Sequence, residues 1–357
     1  MLEALASGRL RAPGTVLISP APTHAYSGML TGYLGGLYTR QAIDVDLEAL
    51  TRRAGVQLVV GTALTLDPAA RRLTLADGAG VPYDFLSLAI GSAAAGSDVP
   101  GVRAHACSLK PIDGAAEIGP ALDLLLARGP AAVSVVVVGG GAAGVEVALN
   151  LQARLADHGV PGDITLLERG PRILAERSAT ATRCAAQVLR RAGVHVTTNS
   201  AVVKADSAQV WLDSGAVLPA GLLVWAAGAA APPLLAKAGL ALDSRGFLLV
   251  DDTLQSVSHR GIFAAGDTAT LQRYPETPKA GVYAVREGPV LVDNLRAALA
   301  GRAPERRYRP QRRYLALLNT GDGRAIFSYG PVAFTARWAM VLKDWIDRRF
   351  MRRFGTG

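Results

Sequence analysis

The sequence predicts an α/β protein built from two similar three-layer ββα modules, the second inserted in the first, followed by an α+β tail. Residues 133–146 form a strand, turn and helix pattern. Two apolar stretches, 85–90 and 222–227, each follow a β hairpin and each end at a glycine, which indicates an internal repeat. Residues 261–269 form a third short apolar strand. The 357 residues are enough for two such modules with ordinary cores.

The strand, turn and helix pattern reads VSVVVVGGGAAGVE. Its valines suit a parallel strand that is covered on both faces. Gly139, Gly141 and Gly144 have G-x-G-x-x-G spacing, in which the first glycine allows a tight turn, the second lets backbone approach a diphosphate, and the third lets the helix pack on the strand. With Gly140, Ala142 and Ala143 they predict a Rossmann-like dinucleotide-binding turn at a helix N-terminus. The alternative is a glycine turn of an unrelated α/β protein.

An acidic residue follows at the distance that this kind of turn requires. A second apolar strand, residues 163–167, ends in Glu168, which lies 24 residues beyond Gly144. A carboxylate there would bind a ribose 2'-hydroxyl. It would repel a 2'-phosphate, so Glu168 favours NAD over NADP, although the neighbouring Arg169 partly offsets that repulsion.

The third apolar strand, GIFAAGDTA at 261–269, brings Gly266 and Asp267 to its carboxyl end, where α/β proteins place ligands. Small residues let a cofactor lie against the backbone, and a carboxylate accepts hydrogen bonds from sugar or ribityl hydroxyls. The alternative is a strand that ends in an ordinary Asp turn.

These patterns divide the chain into three parts. The predicted first domain comprises residues 1–109 and 225–299, the inserted domain residues 110–224, and the tail residues 300–357. The net charge of +9 lies in the tail, which holds 13 Lys and Arg against 4 Asp and Glu, whereas the residues before it hold 25 of each sign.

Composition excludes several other classes. Cys107 and Cys184 are far apart in sequence, which argues against a disulfide framework or a local dithiol relay, and the five histidines have no metal-ligand spacing, so we expect no metal. The longest uncharged runs are broken by Gly or Pro, and charged residues near the amino end argue against a secretory signal. The expected location is the cytoplasmic side.

Five segments together resemble a known superfamily: LAIGS at 88–92, VVVVGGGAAGVE at 135–146, LLERGPRIL at 166–174, VWAAG at 224–228 and GIFAAGDTA at 261–269. Their order and spacing are similar to those of the two-dinucleotide-fold flavoprotein reductases, which include type II NADH:quinone oxidoreductases and pyridine-nucleotide disulfide reductases. YSGML at 26–30 and the tail more narrowly resemble the quinone-reductase-like flavoproteins found joined to selenide, water dikinase.

The resemblance implies FAD in the first domain and NADH in the inserted one. By position, Gly266 and Asp267 would contact the FAD ribityl and pyrophosphate region, Gly91 and Ser92 would pass close to the cofactor, and Leu64 would offer backbone to the adenine. The same resemblance adds Gly228, Tyr26 and Ser27 to the cofactor-binding residues.

Three residues have implied roles beside the rings. Lys110 and Lys279 look like positions next to the isoalloxazine, where a lysine would stabilise the anion formed when hydride arrives; each is alternatively a solvated surface charge. Glu146 resembles an acid that reaches toward the nicotinamide, and is alternatively an acid favoured at a helix start.

Without a cysteine pair beside the flavin, direct transfer to a quinone fits best. The implied activity is that of an FAD-dependent NADH dehydrogenase with a quinone-like acceptor. The alternatives are a reductase of a soluble ferredoxin-type protein, and a non-catalytic NAD-binding remnant.

The amino end departs from the resemblance. Such flavoproteins begin with a strand and a glycine turn that hold the FAD pyrophosphate, whereas MLEALASGRL reads as the helix that follows that turn. We therefore expect about 20 further residues upstream, encoding an apolar strand and a glycine-rich turn.

The tail predicts a basic amphipathic helix over residues 334–354. Trp338, Val341, Leu342, Trp345, Ile346 and Phe350 recur at helical spacing, with Lys343 and several arginines on other faces. Such a helix suits peripheral contact with an anionic membrane. The competing interpretation is a helix docked on its own domain or on a second subunit of a homodimer. Nucleic-acid binding is disfavoured because no recognition module accompanies the arginines.

Overall fold

A computed structural model describes residues 1–355, and residue 113 in its backbone alone. The first part of the chain forms the following elements: α1 (Leu2–Ala6), β1 (Val16–Ser19), β2 (Thr23–Ala25), α2 (Ser27–Leu34), α3 (Arg40–Ile43), β3 (Asp44–Asp46), α4 (Leu47–Ala54), β4 (Gln57–Val60), β5 (Ala63–Asp67), β6 (Arg72–Leu75), β7 (Gly80–Pro82), β8 (Leu86–Leu88), β9 (Ala93–Ala94) and α5 (Val102–His105).

The middle of the chain forms the second module. Its elements are β10 (Ala106–Ser108), α6 (Ile112–Ala115), α7 (Ile118–Leu126), β11 (Val133–Val138), α8 (Ala142–Asp157), β12 (Gly162–Leu167), α9 (Ala179–Arg191), β13 (His195–Thr197), β14 (Val202–Ala205), β15 (Gln209–Leu212), β16 (Val217–Pro219) and β17 (Leu222–Trp225). Helix α9 begins where the Ser178 hydroxyl accepts a hydrogen bond from the Ala181 N–H, a favourable N-cap.

The chain then returns to the first module and ends in the tail. The remaining elements are β18 (Ala229–Ala230), β19 (Leu248–Val250), β20 (Ile262–Ala264), β21 (Ala269–Leu271), α10 (Gly281–Leu299), β22 (Ala316–Asn319), β23 (Ala325–Tyr329), β24 (Val332–Ala336) and α11 (Arg337–Met351), with single 3₁₀ turns at Pro233–Leu235, Gly266–Thr268 and Arg352–Phe354. The predicted α/β class, with a nested second module and an α+β tail, is confirmed.

The second module contains a five-stranded parallel sheet of order β10-β17-β11-β12-β13. The valine-rich strand β11 is its middle strand, and Val135, Val136 and Val137 are at most 1% exposed. This arrangement confirms the predicted buried strand. The sheet runs from Ala106 to Trp225, slightly beyond the predicted range 110–224, and the domain boundaries themselves stay a prediction.

The first module contains two parallel strand pairs that form separate two-stranded sheets. Strand β1 pairs with β4, and β8 pairs with β20, each in a parallel two-stranded sheet. The strand predicted over 85–90 is shorter and spans Leu86–Leu88. A two-stranded antiparallel ribbon, β9 with β18, connects the modules directly after Ser92 and Gly228.

The predicted β hairpins of both modules are three-stranded meanders. Strand β7 extends the pair β5-β6, and strand β16 extends the pair β14-β15. Both predicted strand pairs are present. The third strand of each meander was not predicted, because Gly80–Pro82 and Val217–Pro219 have three residues each and too little alternation to be recognised.

The tail forms a three-stranded antiparallel sheet, β22-β23-β24, against which α11 packs. The predicted helix over 334–354 starts too early, because Phe334 lies in β24 and the helix begins at Arg337. Lys343 was predicted on an outer charged face, but it is only 8% exposed. It is buried because its ammonium donates to the Asp347 carboxylate and to the Gly28 carbonyl. Among residues 1–355, no helix combines the length and the hydropathy needed to cross a membrane.

Candidate active site

The glycine turn after β11 has the geometry that a bound dinucleotide requires. Gly139 has φ +116°, and a Cβ there would lie 2.5 Å from the Ala226 carbonyl oxygen. A Cβ on Gly144 would lie 1.8 Å from the Gly139 carbonyl oxygen. A Cβ on Gly141 would meet nothing within 4 Å, so this position opens to free space at the N-terminus of α8. Two glycines therefore serve chain packing, and the third leaves room for a phosphate.

Glu168 is fixed beside this turn. One carboxylate oxygen accepts the Gly140 N–H at 2.7 Å, and the other accepts the Gly170 N–H at 2.7 Å. Each oxygen keeps a lone pair for further hydrogen bonds. The turn and the carboxylate thus fit the diphosphate and the adenosine ribose of NADH.

A second cluster joins the two modules. The Lys110 ammonium donates to Asp267 at 2.7 Å and to the Ser92 hydroxyl at 2.9 Å, and that hydroxyl donates to Asp267 at 3.1 Å. Lys110 follows β10 of the second module, whereas Ser92 and Asp267 follow β8 and β20 of the first. The Lys110 and Asp267 side chains are 29% and 19% exposed, so the pair is partly shielded from water.

The backbone connects this cluster to the glycine turn. Gly139 lies against Ala226, the Gly228 carbonyl accepts the Ala95 N–H at 2.8 Å, and the Gly91 carbonyl accepts the Thr268 hydroxyl at 3.1 Å. The predicted residues Gly91, Ser92, Gly228, Gly266 and Asp267 therefore follow one another along the carboxyl ends of the strands, next to the turn.

Glu287 belongs to the same region, although the sequence analysis did not select it. It is 5% exposed, and its carboxylate accepts the Gly266 N–H at 2.6 Å. Burial raises the pKa of Glu287. The sequence feature that could have identified Glu287 is its position on the apolar stripe of α10, between Tyr283 and Val290, where an acidic residue is unexpected.

Lys279 is not a solvated surface charge. Its ammonium donates to the Thr270 hydroxyl at 3.0 Å and to the Ala269 carbonyl, and lies 4.0 Å from the centre of the Phe247 ring. Burial lowers the pKa of Lys279 to about 8, and the negative charge of Asp267 is the strongest influence that opposes this shift. Lys279 and Asp267 line the same cavity, whereas Lys110 bonds to Asp267 directly.

Glu146 is half-buried on α8, between α2 and β22. Its carboxylate accepts the Asn319 N–H of β22 at 2.8 Å and the Thr31 hydroxyl of α2 at 3.3 Å. Burial raises the pKa of Glu146, against the lowering effects of Lys343 and of both hydrogen bonds. The proposed reach toward nicotinamide stays a prediction.

The stability of Glu146→Gln relative to the wild type is expected to be greater at alkaline pH than at acid pH. The folded carboxyl has a pKa above its ordinary value of 4.5, so its stabilising contribution is complete below that value and is lost as pH rises through the folded pKa. Glutamine keeps an oxygen for the Asn319 N–H. The melting temperature of the variant minus that of the wild type should therefore increase from pH 5 to pH 9. An offset that does not change with pH would contradict this prediction, and exposed Glu305→Gln is the control.

The other predicted residues lie at the edges of the region. The Tyr26 ring stacks on Phe350 at 4.6 Å, and its hydroxyl donates to Asp347 at 3.1 Å. Ser27 begins α2, and its hydroxyl faces Gly281 at the start of α10. A Cβ added to Gly281 would lie 3.9 Å from that hydroxyl oxygen. The side chain of Leu64 is 60% exposed.

The two cysteines lie apart from one another. Cys107 is in β10, Cys184 is in α9, and both are free thiols. Burial raises the pKa of Cys107, which disfavours the reactive thiolate. Among residues 1–355, no group of three His, Cys, Asp or Glu side chains is arranged to hold a metal ion.

Comparisons with known proteins agree with this geometry. Residues 6–288 match the family model of the pyridine nucleotide-disulphide oxidoreductases. The chain belongs to this family. An NADH dehydrogenase-like protein of Mycobacterium tuberculosis is 35% identical over 239 residues, which are 65% of this chain and 60% of the relative. The demethylphylloquinone reductase NdbB of Synechocystis is 29% identical over 272 residues, 73% of this chain and 66% of the relative.

Solved structures show the family fold. The sulfide:quinone oxidoreductase of Aquifex aeolicus superposes with a TM-score of 0.80 at 19% identity, covering 99% of this chain and 89% of that chain. The NDH2 of Plasmodium falciparum, solved in complex with NADH, gives 0.77 at 16% identity, covering 96% and 92%. This chain spans about 60% of the length of the first Mycobacterium relative.

FAD, the flavin expected in this family, fits the first module only in part. Asp267, Ser92 and Lys110 supply a carboxylate, a hydroxyl and a cation that would suit a ribityl chain and the edge of a ring, and Gly91 leaves its surroundings open because a Cβ there would meet nothing within 4 Å. Between β1 and β8, however, the described residues contain no counterpart of β11 and its glycine turn. The residues present would hold the ribityl side of the cofactor and not its diphosphate.

Proposed function

We propose that this chain is an FAD-dependent NADH dehydrogenase that transfers hydride from NADH to flavin and then passes two electrons to a quinone-like acceptor. The observation that supports this proposal most directly is the ion pair between Lys110 and Asp267, which joins the two modules at the carboxyl ends of their strands. A dinucleotide on the Gly139–Gly144 turn and a flavin on Asp267 would then share one cleft.

The protein's own residues have binding and electrostatic roles in this proposal. Gly139, Gly141 and Gly144 hold the NADH diphosphate, and Glu168 binds the ribose. Asp267 and Ser92 orient the ribityl chain, while Lys110 and Lys279 present positive charge near the ring. FAD supplies the redox chemistry when bound.

NADH is the preferred donor in this proposal. Both oxygens of Glu168 are held by backbone N–H groups, so the carboxylate cannot swing away from a 2'-phosphate. The electrostatic repulsion would therefore act against NADPH, with a partial offset from the neighbouring Arg169.

A quinone-like acceptor is supported by two observations. The relatives include a demethylphylloquinone reductase of Synechocystis and a type II NADH:quinone oxidoreductase of Haemophilus influenzae. Cys107 and Cys184 lie on separate elements and cannot form the dithiol relay of a disulfide reductase.

Anaerobic titration tests the proposal. Purified protein is reconstituted with FAD, reduced with NADH, and then given a soluble quinone. NADH should bleach the visible flavin absorbance, and the quinone should restore it. Restoration by ferredoxin but not by quinone would favour a soluble redox-protein reductase. NADH binding without flavin uptake would favour a non-catalytic remnant.

The outer face of α11 supports peripheral contact with the cytoplasmic membrane face. Val341 is 70% exposed and Trp345 52%, while Arg348, Arg349, Arg352 and Arg353 are exposed beside them. The inner face is unusual because it holds the Lys343–Asp347 ion pair. An apolar face flanked by arginines is complementary to an anionic bilayer.

Removing this apolar face should weaken membrane binding. The double variant Val341→Ser, Trp345→Ser is expected to lose roughly tenfold or more in affinity for vesicles that contain phosphatidylglycerol, since its apolar area no longer enters the interface. Co-sedimentation measures this loss. The control replaces Val203 and Val217, which are 47% and 45% exposed on the second module's meander, with serine. Unchanged vesicle binding together with a loss of dimer would instead assign the face to a second subunit.

A further inference from the structure

One tyrosine of the tail contacts both modules. Tyr314 lies just ahead of β22 and is half-buried. The Arg177 guanidinium of the second module lies 4.1 Å from the centre of the Tyr314 ring. The Tyr283 ring of α10, in the first module, meets the same ring edge-on, with the ring centres 5.5 Å apart and an interplanar angle of 75°. The Tyr314 ring is therefore shared between the modules.

Arg177 is connected to the glycine turn through its own loop. The Arg177 N–H donates to the Leu174 carbonyl at 2.8 Å, and the Leu174 N–H donates to the Gly140 carbonyl at 2.8 Å. The same loop begins at Glu168, whose carboxylate accepts the Gly140 N–H. A displacement of Arg177 would therefore disturb the segment that carries the proposed diphosphate and ribose contacts.

Tyr283 is connected in the same way to the region of Asp267. Its side chain is 5% exposed, and it lines one cavity together with Asp267 and Glu287. One helical turn beyond Tyr283, the Glu287 carboxylate accepts the Gly266 N–H. The Tyr283 hydroxyl donates to the Gln311 carbonyl of the tail at 3.4 Å. A displacement of Tyr283 would therefore disturb the residues proposed to hold the ribityl chain.

The stacked arrangement is energetically specific. The Arg177 Nε is buried and has no hydrogen-bond partner among residues 1–355, which is costly for a charged group unless another contact offsets it. A guanidinium over an aromatic face is attracted by the electrons of the ring, and more strongly away from water. Edge-to-face packing of Tyr283 on Tyr314 adds a preferred direction. The three side chains therefore favour one relative placement of the elements that carry them.

Further contacts hold the tail against both modules. On the second module, the Asn319 amide donates to the Asn150 side-chain oxygen at 2.8 Å, and the Asn150 amide donates to the Asn319 carbonyl at 3.2 Å. On the first module, the Lys343 ammonium donates to the Gly28 carbonyl at 2.6 Å. Tyr314 therefore extends from a segment that is fixed to both modules and does not simply follow one of them.

We propose that Arg177, Tyr314 and Tyr283 form an inter-module clamp that sets the distance between the nicotinamide site and the flavin site. This inference rests on the proposed function, because that distance matters only for transfer between two bound rings. Arg177 and Tyr314 act as positioning residues, through the loop that begins at Glu168 and through α10. Reacting atoms must approach to about 3–3.5 Å, and a misplacement of about 1 Å can slow a reaction about 100-fold.

Hydrogen exchange tests the clamp in the purified chain without added flavin or NADH, so this result is separate from that of the proposed function. Tyr314→Leu removes the ring between Arg177 and Tyr283. The amides of Leu174, Arg177 and residues 283–287 should then exchange about tenfold faster or more, in both modules at once. Unchanged exchange at these amides would overturn the proposal.

Trp211→Leu is the matched control. The Lys204 ammonium lies 4.4 Å from the centre of the half-buried Trp211 ring, so this variant also removes a ring beneath a cation. Both residues lie in the meander of the second module and join no second module. Exchange at Leu174, Arg177 and residues 283–287 should therefore stay as in the wild type. Equal acceleration in both variants would show general loosening and would also overturn the clamp.

Single-turnover kinetics of the FAD-loaded protein test the positioning role. Tyr314→Leu and Arg177→Met should each slow flavin bleaching by NADH by about tenfold to 100-fold, whereas the dissociation constant of NADH should stay within about twofold. Tyr314→Phe keeps the ring and should restore the wild-type rate. Arg177→Lys keeps the positive charge and should recover part of it.

Two kinetic results would overturn the clamp. The first is a bleaching rate that Tyr314→Leu leaves unchanged or that Tyr314→Phe does not restore. The second is a loss of NADH affinity in Arg177→Met as large as its loss of rate, because Arg177 would then bind NADH itself. If NADH does not bleach the wild type, the proposed function fails, and the exchange experiment still decides whether the three side chains hold the modules together.

Discussion

Gly144→Ala is expected to lower the free energy of unfolding of the second module by about 3 kcal/mol or more, because overpacking against backbone is not easily relieved. The added Cβ would lie 1.8 Å from the Gly139 carbonyl oxygen, inside any allowed contact. Helix α8 would have to move away from β11, the central strand of the sheet. The melting temperature should fall, and NADH should bind more weakly than to the wild type.

Gly141→Ala is the matched variant for this prediction. A Cβ there meets nothing within 4 Å, and the residue has an ordinary φ of −69°. Its melting temperature should therefore equal that of the wild type. NADH binding should still weaken by roughly tenfold or more, because the methyl group occupies the space through which backbone approaches the diphosphate. Equal NADH affinity for Gly141→Ala and wild type would contradict the assignment of the turn.

Local sequence patterns predicted the second module well. The β11–α8 unit and the position of Glu168 depend on residues close in sequence, and the G-x-G-x-x-G spacing indicates the turn that joins strand to helix. Asp267 could be selected because a short apolar strand ended at it. The fold class followed from these units and their repetition.

Long-range contacts explain what the sequence did not predict. Lys343 looks like an exposed charge on an amphipathic helix, and only the packing of α11 on α2 makes the Gly28 carbonyl its acceptor. Glu287 likewise owes its burial to the Gly266 N–H, 21 residues away. Partners that meet only in the folded chain leave little trace in local periodicity.

Lys110→Met is expected to slow reduction of bound flavin by NADH by about 100-fold or more, because removing one preorganised charge next to a developing anion has effects of this size. The Lys110 ammonium is fixed by Asp267 and Ser92 and is less than one-third exposed, so it needs little reorganisation when charge develops. Methionine keeps the apolar stem of the side chain, which preserves packing. NADH affinity should not change, since the Lys110 ammonium bonds to Ser92 and Asp267 and not to the glycine turn or Glu168.

Stopped-flow bleaching of the FAD-loaded protein measures this rate. Lys110→Arg should recover part of it, because the positive charge is retained with a different shape. Lys237→Met, at an exposed position, should match the wild type. An unchanged bleaching rate in Lys110→Met would mean that the Lys110–Asp267 pair only joins the modules. In that case the melting temperature of the variant should fall while its chemistry is unaffected.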